Sequence, residues 1–386
     1  YMVEFAHPNT HKGFHIGHLR NITIGESLSR ILESSGYKVV RTNYEGDIGP
    51  HVAKCLWGIL NLYKGKVPKK NKGEWLGRVY AEASQKIVSN LELEREVDEI
   101  NKKLYGGKDK KLLNLWKETR KWSLDYFAEI YKELQTKFDR LYFESEVEKR
   151  GMQISKSAIK KGVAKISEGA IIVDLEKYGL GIFVLITRDG TPLYSAKDLG
   201  LAEKEFTDFK TDYIIHVVGS EQTLYFKQLF KTFELLKLKA TNKSHHLVYG
   251  LVRLQEGKMS SREGTIILYS ELLNNVVKKV SGEIQRRNPK ISEKLLGDLA
   301  FKIGVSALKY QMLKVSPEKD VVFDWQQSLE LQGDTGPYLQ YAYTRCSSIL
   351  KKMKKWKNVF STETLNDEEK RLIKLLSNFS SIVQQA

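Results

Sequence analysis

The chain has 386 residues, 41% of them hydrophobic, and lacks any apolar run approaching the roughly 18 residues of a membrane-spanning helix. Lysine and arginine number 63 against 47 aspartate and glutamate residues, a net charge of +16 that favours a polyanionic partner such as nucleic acid, although lysine-rich proteomes give the same excess. The only cysteines, Cys55 and Cys346, form no Cys-x-x-Cys pair, which argues against a disulfide framework or zinc knuckle and favours a reducing cytoplasm.

The N-terminal part begins with a βαβ pattern. Residues 2–6 predict a strand, "GHLRNITIGESLSRILESSG" predicts a helix that stops at Gly36, and "YKVVRTNY" predicts the next strand. Strand, turn, helix and strand in this order are the opening half of a doubly wound nucleotide-binding fold. Residues 61–190 differ from this pattern in composition, because lysine-rich predicted helices are followed by the β-rich stretch "EGAIIVDLEKYGLGIFVLITRDG". We therefore expect an insertion there.

The second half of the fold is expected after this insertion. "TDYIIHVVG" predicts a buried strand, residues 222–237 a helix, and "HHLVYGLVRL" one further strand. From residue 295 the pattern is wholly helical, with Pro337 at a helix start and a capping box from Asn366 to Glu369. We therefore predict five segments, with residues 1–60 and 191–294 forming the two halves of one domain, 61–190 the insertion, 295–331 a helical linker and 332–386 a helical bundle.

Both ends of the chain fall inside predicted elements. Tyr1 leads straight into a strand, and "SSIVQQA" closes the chain within an amphipathic helical pattern. We accordingly expect a fragment of a longer protein, cut at both ends.

The stretch "HKGFHIGHLR", residues 11–20, places two histidines at the start of a predicted helix. His15 and His18 are one turn apart, so both imidazoles lie beside the free N–H groups of the helix start, which is an anion site. Gly17 leaves the backbone open to a flat ligand such as a purine. Two incidental loop histidines, or a metal-binding pair, are the alternatives at this spacing.

A second candidate element is "GKMSSREGT", residues 257–265, after the last predicted strand. Lys258 and Arg262 on this loop would close over a triphosphate and stabilise charge that develops at an attacked phosphate. Taken alone, a basic Ser/Gly loop is more often a solvated connection. The loop and the histidine pair together support a single nucleotide-binding hypothesis.

The two motifs, "HIGH" and "KMSSR", resemble the paired signatures of class I aminoacyl-tRNA synthetases. "VEFAHPNTHKGFHIGHLRN" and "GDTGPYLQYAYTRCSSI" are similar to stretches of the arginyl-tRNA synthetase family in particular. The resemblance implies an α/β fold, with a Rossmann-like doubly wound parallel-sheet catalytic domain, an α+β insertion, and the start of an all-α anticodon-binding bundle. It also implies ATP-dependent activation of L-arginine to arginyl-adenylate and its transfer to the 3′ end of tRNA(Arg).

For catalysis, the resemblance implies roles for His15, His18, Lys12 and Lys258. ATP would be held by His15, Gly17 and His18 together with the second motif, Lys258, Met259, Ser260, Ser261 and Arg262. This motif departs from its usual form, because Ser261 stands where a lysine is common, and the resemblance implies that Lys12 substitutes. Mg²⁺ is expected to enter bound to ATP, and no protein-held metal is expected.

The amino-acid pocket can be argued from charge. A guanidinium has five donors and a fixed positive charge, so it needs a carboxylate partner, and Asp198 with Tyr194 one helical turn earlier is the best candidate. A surface acid and a core tyrosine are the alternative interpretation. The resemblance adds Glu4, Asn9 and Gln222 to the pocket. His7 occupies a position where many relatives have a small residue, and the sequence assigns it no role.

The basic excess suggests an RNA-binding surface. The first long helix after residue 332 interleaves basic residues with Tyr343 and Trp356, a composition suited to phosphate contacts and base stacking. Its predicted tRNA-binding residues are Arg345, Lys351, Lys352, Lys354 and Lys355. A solvated helix face is the alternative. The expected partners are tRNA(Arg) and L-arginine, and we expect a cytoplasmic monomer with no membrane association.

Three other functions are compatible with parts of this pattern. Another class I synthetase is one, although a cysteine enzyme would need zinc and thiolates, and a glutamate enzyme would need a cation in place of Asp198. A smaller adenylate-forming nucleotidyltransferase would not need the bundle after residue 330 or the net charge of +16. A non-catalytic RNA-binding relative would not need His15, His18 and Lys258.

Overall fold

The computed structural model describes residues 1–254, 267–323, 333–353 and 365–386. Five strands, all parallel, form its central sheet in the order β3-β2-β1-β7-β8. They are β1 (Met2–Glu4), β2 (Val40–Glu45), β3 (Arg140–Phe143), β7 (Ile214–Gly219) and β8 (Ser244–Tyr249). The chain reverses its direction of travel across the sheet between β1 and β7, so the doubly wound fold predicted from the sequence is confirmed.

Helices connect these parallel strands, as parallel pairing requires. The βαβ unit contains α1 (Ile16–Ser34), and the second half contains α7 (Tyr194–Asp208) and α8 (Thr223–Leu236). An apolar cluster packs β1 and α1 against α5 (Lys110–Glu133), α9 (Tyr269–Arg287) and α10 (Glu293–Leu313). This packing fixes the start of α1 above the sheet, at the carboxyl end of β1.

The predicted insertion contains two subdomains. The first is helical, with α2 (Pro50–Asn61), α3 (Lys72–Ile87) and α4 (Leu91–Gly106) packed through a core that includes Trp57 and Trp75. The second combines α6 (Glu144–Lys160) with an antiparallel sheet of β4 (Lys165–Ser167), β5 (Ala170–Asp174) and β6 (Ile182–Ile186). Between them lies β3, which pairs with β2 in the central sheet although it falls within residues 61–190.

Two predicted elements were wrong. The strand expected over "HHLVYGLVRL" is two strands, because the chain turns at Gly250 between β8 and β9 (Val252–Leu254). β9 leaves the central sheet and pairs in parallel with β10 (Val321–Phe323). The segment from residue 295 is therefore not wholly helical, since β10 lies within it.

The C-terminal residues form α11 (Gly336–Lys352), α12 (Asp367–Ser377) and α13 (Phe379–Gln385). Pro337 in the first turn of α11 and the capping box from Asn366 to Glu369 are both confirmed. Leu339, Tyr343, Cys346 and Leu350 of α11 are exposed. Among the described residues, none of the helices is long and apolar enough to cross a membrane.

Glu45, at the end of β2, is a fully buried carboxyl group. Its Oε1 accepts hydrogen bonds from Asn43 Nδ2 at 2.6 Å and Tyr131 Oη at 3.0 Å. Burial raises the pKa of Glu45 from 4.5 to about 8. Between these two values the folded chain holds a proton that the unfolded chain has released, so stability falls as pH rises through this window.

Replacing Glu45 by glutamine should remove this loss, because the amide keeps an acceptor oxygen and carries no charge. Between about pH 5 and about pH 8, we expect the unfolding free energy of the wild type to fall by on the order of 3 kcal/mol relative to Glu45→Gln. Urea unfolding of both proteins at several pH values measures the difference. Parallel pH profiles would show that Glu45 is ionised in the folded chain.

Candidate active site

A cavity of about 690 Å³ opens at the carboxyl ends of β1 and β7. This is the point where the strand order reverses, which is the usual ligand position in open α/β sheets. Nine residues singled out from the sequence line this cavity: Glu4, His7, Asn9, His15, Gly17, His18, Tyr194, Asp198 and Gln222. The fold thus brings together residues that are up to 218 positions apart along the chain.

One wall of the cavity is the start of α1, where His15 is the N-cap residue. His15 Nδ1 accepts a hydrogen bond from the Gly17 backbone N–H at 3.1 Å. His18 Nδ1 accepts one from the His15 backbone N–H at 3.1 Å, and the two rings stack with centroids 3.7 Å apart. Because each Nδ1 accepts, the proton of each neutral ring is on Nε2.

Both imidazoles are neutral at physiological pH. Burial, with a contribution from the charge of Lys12, lowers the pKa of His15 to about 4. Burial and the neighbouring His15 lower the pKa of His18 well below its usual range. The pair therefore presents two Nε2–H donors beside the free N–H groups of the helix start, an arrangement suited to phosphate oxygens.

Gly17 and Lys12 complete this wall. A Cβ at residue 17 would lie 2.9 Å from His15 Cε1, so a side chain there would displace the capping imidazole. Lys12 is half-buried, and its Nζ lies 5.1 Å from the centre of the Tyr80 ring. Residues 267 and 268 run beside the same wall, since Ile16 N donates to Ile267 O at 3.2 Å and His15 pairs with Leu268.

The opposite wall is α7, which carries Tyr194 and Asp198 one turn apart as predicted. Tyr194 is exposed, whereas Asp198 is half-buried and accepts a hydrogen bond on Oδ2 from the Tyr225 hydroxyl. Asp198 Oδ1 is buried and has no hydrogen-bond partner within the described part of the chain. Burial raises the pKa of Asp198 to about 7.

A second carboxylate, Glu4, lies at the floor of the cavity. Its Oε1 accepts a hydrogen bond from His216 Nδ1 at 2.8 Å. Burial alone would raise the pKa of Glu4, but His216 outweighs it and lowers the pKa to about 2. Glu205 is buried next to it, and burial together with the charge of Glu4 raises the pKa of Glu205 well above its usual range. The two carboxyl groups therefore carry one negative charge between them.

Asn9 and Gln222 line the cavity from two different loops. The Asn9 side chain lies over Gly46, where an added Cβ would come within 2.1 Å of Asn9 Oδ1 and 3.2 Å of Glu144 Oε1. Glu144 is buried and pairs with Lys197, Oε2 to Nζ at 2.6 Å. Gln222 is exposed at the end of a short 3-10 turn that follows β7.

Several cavity residues have no counterpart among the sequence predictions, namely Glu144, Glu205, His216 and Tyr225. Glu205 lies seven residues after Asp198, close enough to two helical turns to share its face. Glu144 directly follows β3, so recognising that strand would have placed Glu144 at the carboxyl edge of the sheet. His216 lies within a buried strand and gave no local signal.

The remaining predicted residues lie elsewhere. Arg345, Lys351 and Lys352 are exposed on α11, and the Arg345 guanidinium lies 6.0 Å from the centre of the Tyr341 ring. Lys258, Met259, Ser260, Ser261 and Arg262, and likewise Lys354 and Lys355, lie outside the described residues. Within the ranges that the structure describes, no three His, Cys, Asp or Glu side chains are grouped so as to hold a metal ion.

Known families and proteins match this chain over nearly all of its length. A family model described as "tRNA synthetases class I (R), catalytic domain" matches residues 1–325, and one described as "DALR anticodon binding domain" matches residues 339–386. The arginine–tRNA ligase of Bdellovibrio bacteriovorus is 35% identical, over 100% of this chain and 68% of that protein. The arginine–tRNA ligase of Treponema denticola is 36% identical with the same coverage.

The solved structure of Thermus thermophilus arginyl-tRNA synthetase has the same fold, with a TM-score of 0.83 at 24% identity over 100% of this chain and 70% of that one. The catalytic-domain model covers well over half of this chain, and the sequence relatives match it throughout. The resemblance noted from the two motifs is thereby confirmed. The chain belongs to the arginyl-tRNA synthetases, the ATP-dependent class I enzymes that ligate arginine to transfer RNA.

Proposed function

We propose that arginine and ATP bind side by side in the 690 Å³ cavity and react there to form arginyl-adenylate. The observation that carries this proposal is Asp198 Oδ1, which is buried and has no hydrogen-bond partner among the described residues; Asp198 lines the same cavity as His15 and His18. A buried carboxylate without a partner is costly, and a guanidinium supplies both the charge and the donors that it lacks. The imidazoles suit an anion at the other end.

In this assignment the guanidinium binds between Asp198 and Glu4, beneath Tyr194, with Gln222 at the rim. Two carboxylates with neutral acceptors around them match a planar cation with five donors. The α-ammonium group binds to Asn9 and Glu144, whose oxygens both lie beside Gly46. The carboxylate of arginine then points towards His15 and His18.

The Gly46 contact offers a test of the ammonium site. Replacing Gly46 by alanine should push the Asn9 amide away, because Cβ would come within 2.1 Å of Asn9 Oδ1. We expect KM for arginine to rise about tenfold with little change in melting temperature, since a side chain rather than backbone must move. Gly297→Ala, in α10 with no neighbour within 4 Å among the described residues, is the matched control. An unchanged KM would remove Asn9 from the site.

ATP is assigned to the wall formed by α1. The purine lies against Gly17, and the Nε2–H groups of His15 and His18 donate to the phosphates. Lys258, Met259, Ser260, Ser261 and Arg262 complete the site, which is supported by the path of residues 267 and 268 beside His15. Lys12 supplies the cation that Ser261 does not, and Mg²⁺ enters bound to ATP.

The reaction needs no nucleophilic side chain. A carboxylate oxygen of arginine attacks the α-phosphorus in line, the new C–O–P linkage forms, and the bond to the β-phosphate breaks to release pyrophosphate. The charge that builds on the phosphates is stabilised by the imidazole donors and the lysines. A ribose hydroxyl of the terminal adenosine of the tRNA then attacks the arginyl carbonyl, and AMP leaves.

Transfer RNA is assigned to the exposed cations of α11, Arg345, Lys351 and Lys352, together with Lys354 and Lys355, which follow it along the chain outside the described residues. The exposure of Arg345, Lys351 and Lys352 and the contact of Arg345 with the Tyr341 ring support this assignment. Contacts of these cations with phosphates release counterions, so tRNA binding should weaken steeply as the salt concentration is raised.

We further propose that the protein acts as a monomer in the cytoplasm, in keeping with two free cysteine thiols.

Calorimetric titration with arginine and with citrulline, in the presence of a non-hydrolysable ATP analogue, tests the proposed arginine site. Citrulline has nearly the same shape as arginine but no charge. The proposal expects binding of arginine and none of citrulline. Equal binding of the two would contradict the assignment of Asp198 and Glu4. If neither binds, repeating the titration with tRNA(Arg) determines whether the RNA organises the pocket.

A further inference from the structure

His7 lies in the wall of the cavity between the positions of Glu4 and Asn9, and the reaction described above gives it no part. Its Nε2 is buried and has no hydrogen-bond partner in the described part of the chain. Buried polar atoms almost always have a partner. A lone nitrogen on the wall of a ligand cavity therefore predicts that the missing partner belongs to the ligand.

The backbone that carries His7 is strained. Ala6 and His7 have φ values of 85° and 52°, in the left-handed region that residues other than glycine rarely adopt. Backbone strain of this kind persists only where the surrounding structure imposes it, and it is often found at functional sites. His7 thus lines the cavity from a strained stretch of backbone.

Two asparagine side chains hold this conformation from opposite sides. Asn21 Oδ1, on α1, accepts from the Ala6 backbone N–H at 2.5 Å, and Asn43 Oδ1, on β2, accepts from the His7 backbone N–H at 2.9 Å. Each amide is anchored in turn, Asn21 Nδ2 by Val217 O at 2.8 Å and Asn43 Nδ2 by the carboxyl group of Glu45 at 2.6 Å. The position of His7 is thus fixed by three elements of the nucleotide fold.

The charge of the site indicates which ligand group His7 meets. Burial lowers the pKa of His7, so the ring is neutral and one of its nitrogens has a free lone pair. The guanidinium is assigned between Glu4 and Asp198, whereas His7 stands two residues before Asn9, which is assigned to the α-ammonium group. A neutral acceptor beside Asn9 suits a cationic N–H donor of the ligand.

We propose that His7 is a specificity-determining residue whose neutral imidazole accepts a hydrogen bond from the α-ammonium group of bound arginine. The inference rests on the arginine site proposed above and adds to it a means of selecting ligands that carry an α-amino group. With His7 present, the pocket distinguishes an α-amino acid from guanidino acids that lack the amino group. A neutral acceptor does this without adding charge to a pocket that already holds Glu4 and Asp198.

The test compares arginine with desamino-arginine, the acid that lacks only the α-amino group. Calorimetric affinities for both, with the ATP analogue and tRNA(Arg) present, are measured for the wild type, His7→Ala and His7→Gln. We expect His7→Ala to bind arginine about tenfold more weakly and desamino-arginine as the wild type does. Glutamine, which can place an acceptor near the position of Nε2, should recover most of the loss. His245→Gln, an exposed histidine, is the matched control.

Equal weakening of both ligands by His7→Ala, or weakening of neither, would overturn the proposal. If the alanine variant does not fold, His7→Phe, which keeps a buried ring without nitrogen, supports the same comparison. Failure of the proposed arginine site gives a different result, because the wild type would then bind citrulline as well as arginine. That result would also exclude the proposed role of His7.

Discussion

Asp198→Asn should lower kcat/KM for arginine by about 10²–10³-fold, because it leaves the bound guanidinium without its charged partner in a buried site. One oxygen of the carboxylate accepts a hydrogen bond from the Tyr225 hydroxyl, and the other is buried without a partner among the described residues. Asparagine keeps the shape and the contact with Tyr225 but presents no charge. Steady-state pyrophosphate exchange, with tRNA(Arg) present, measures the change.

The same substitution should alter the pH dependence. The pKa of Asp198 in the empty pocket is about 7, raised by burial, and a guanidinium binds to the ionised form. Below this pH, arginine must displace a proton, so KM for arginine in the wild type should rise about tenfold per pH unit. The variant should lack this rise. Asp208→Asn, an exposed acid on the same helix, is the matched control. Equal pH profiles for the wild type and Asp198→Asn would exclude Asp198 as the guanidinium partner.

His15→Asn should reduce the rate of adenylate formation by about 10²–10³-fold while leaving KM for ATP nearly unchanged. The reason is that the two functions of this imidazole sit on different nitrogens. Nδ1 caps α1 through the Gly17 N–H, and Nε2–H faces the cavity. Asparagine is itself a good N-cap residue, so it preserves the cap and removes only the distal donor.

Stability measurements separate these functions. We expect His15→Asn to unfold within about 0.5 kcal/mol of the wild type, whereas His15→Ala loses the cap as well and costs about 1 kcal/mol. Single-turnover formation of arginyl-adenylate gives the rate of the chemical step. A raised KM for ATP at an unchanged rate would instead mean that His15 contributes equally to ground state and transition state.

Features with local causes were predictable from the sequence alone. The histidine pair at a helix start, the Pro337 helix start and the Asn366 capping box each depend on residues within one helical turn. The shared face of Tyr194 and Asp198 follows from helical periodicity. The doubly wound fold was also accessible, because strand and helix patterns alternate in the order that parallel pairing demands.

Features that depend on long-range pairing were decided only by the tertiary structure. β3 joins the central sheet from within the predicted insertion, and the strand expected through Gly250 divides because β10 pairs with its second part. Sequence periodicity carries no information about which strand a hydrogen-bonding edge will meet.

In the candidate active site, too, some residues were identified from the sequence and others only from the structure. Charge, spacing and the family resemblance together singled out Asp198 and the histidine pair, whereas Glu205 and His216 became visible only as buried neighbours of Glu4. Their state depends on desolvation and on charges brought close by the fold. The sequence by itself thus determined which side chains are present and how they lie within each helical turn. Packing between distant segments determined the contacts that shift the pKa values of these side chains.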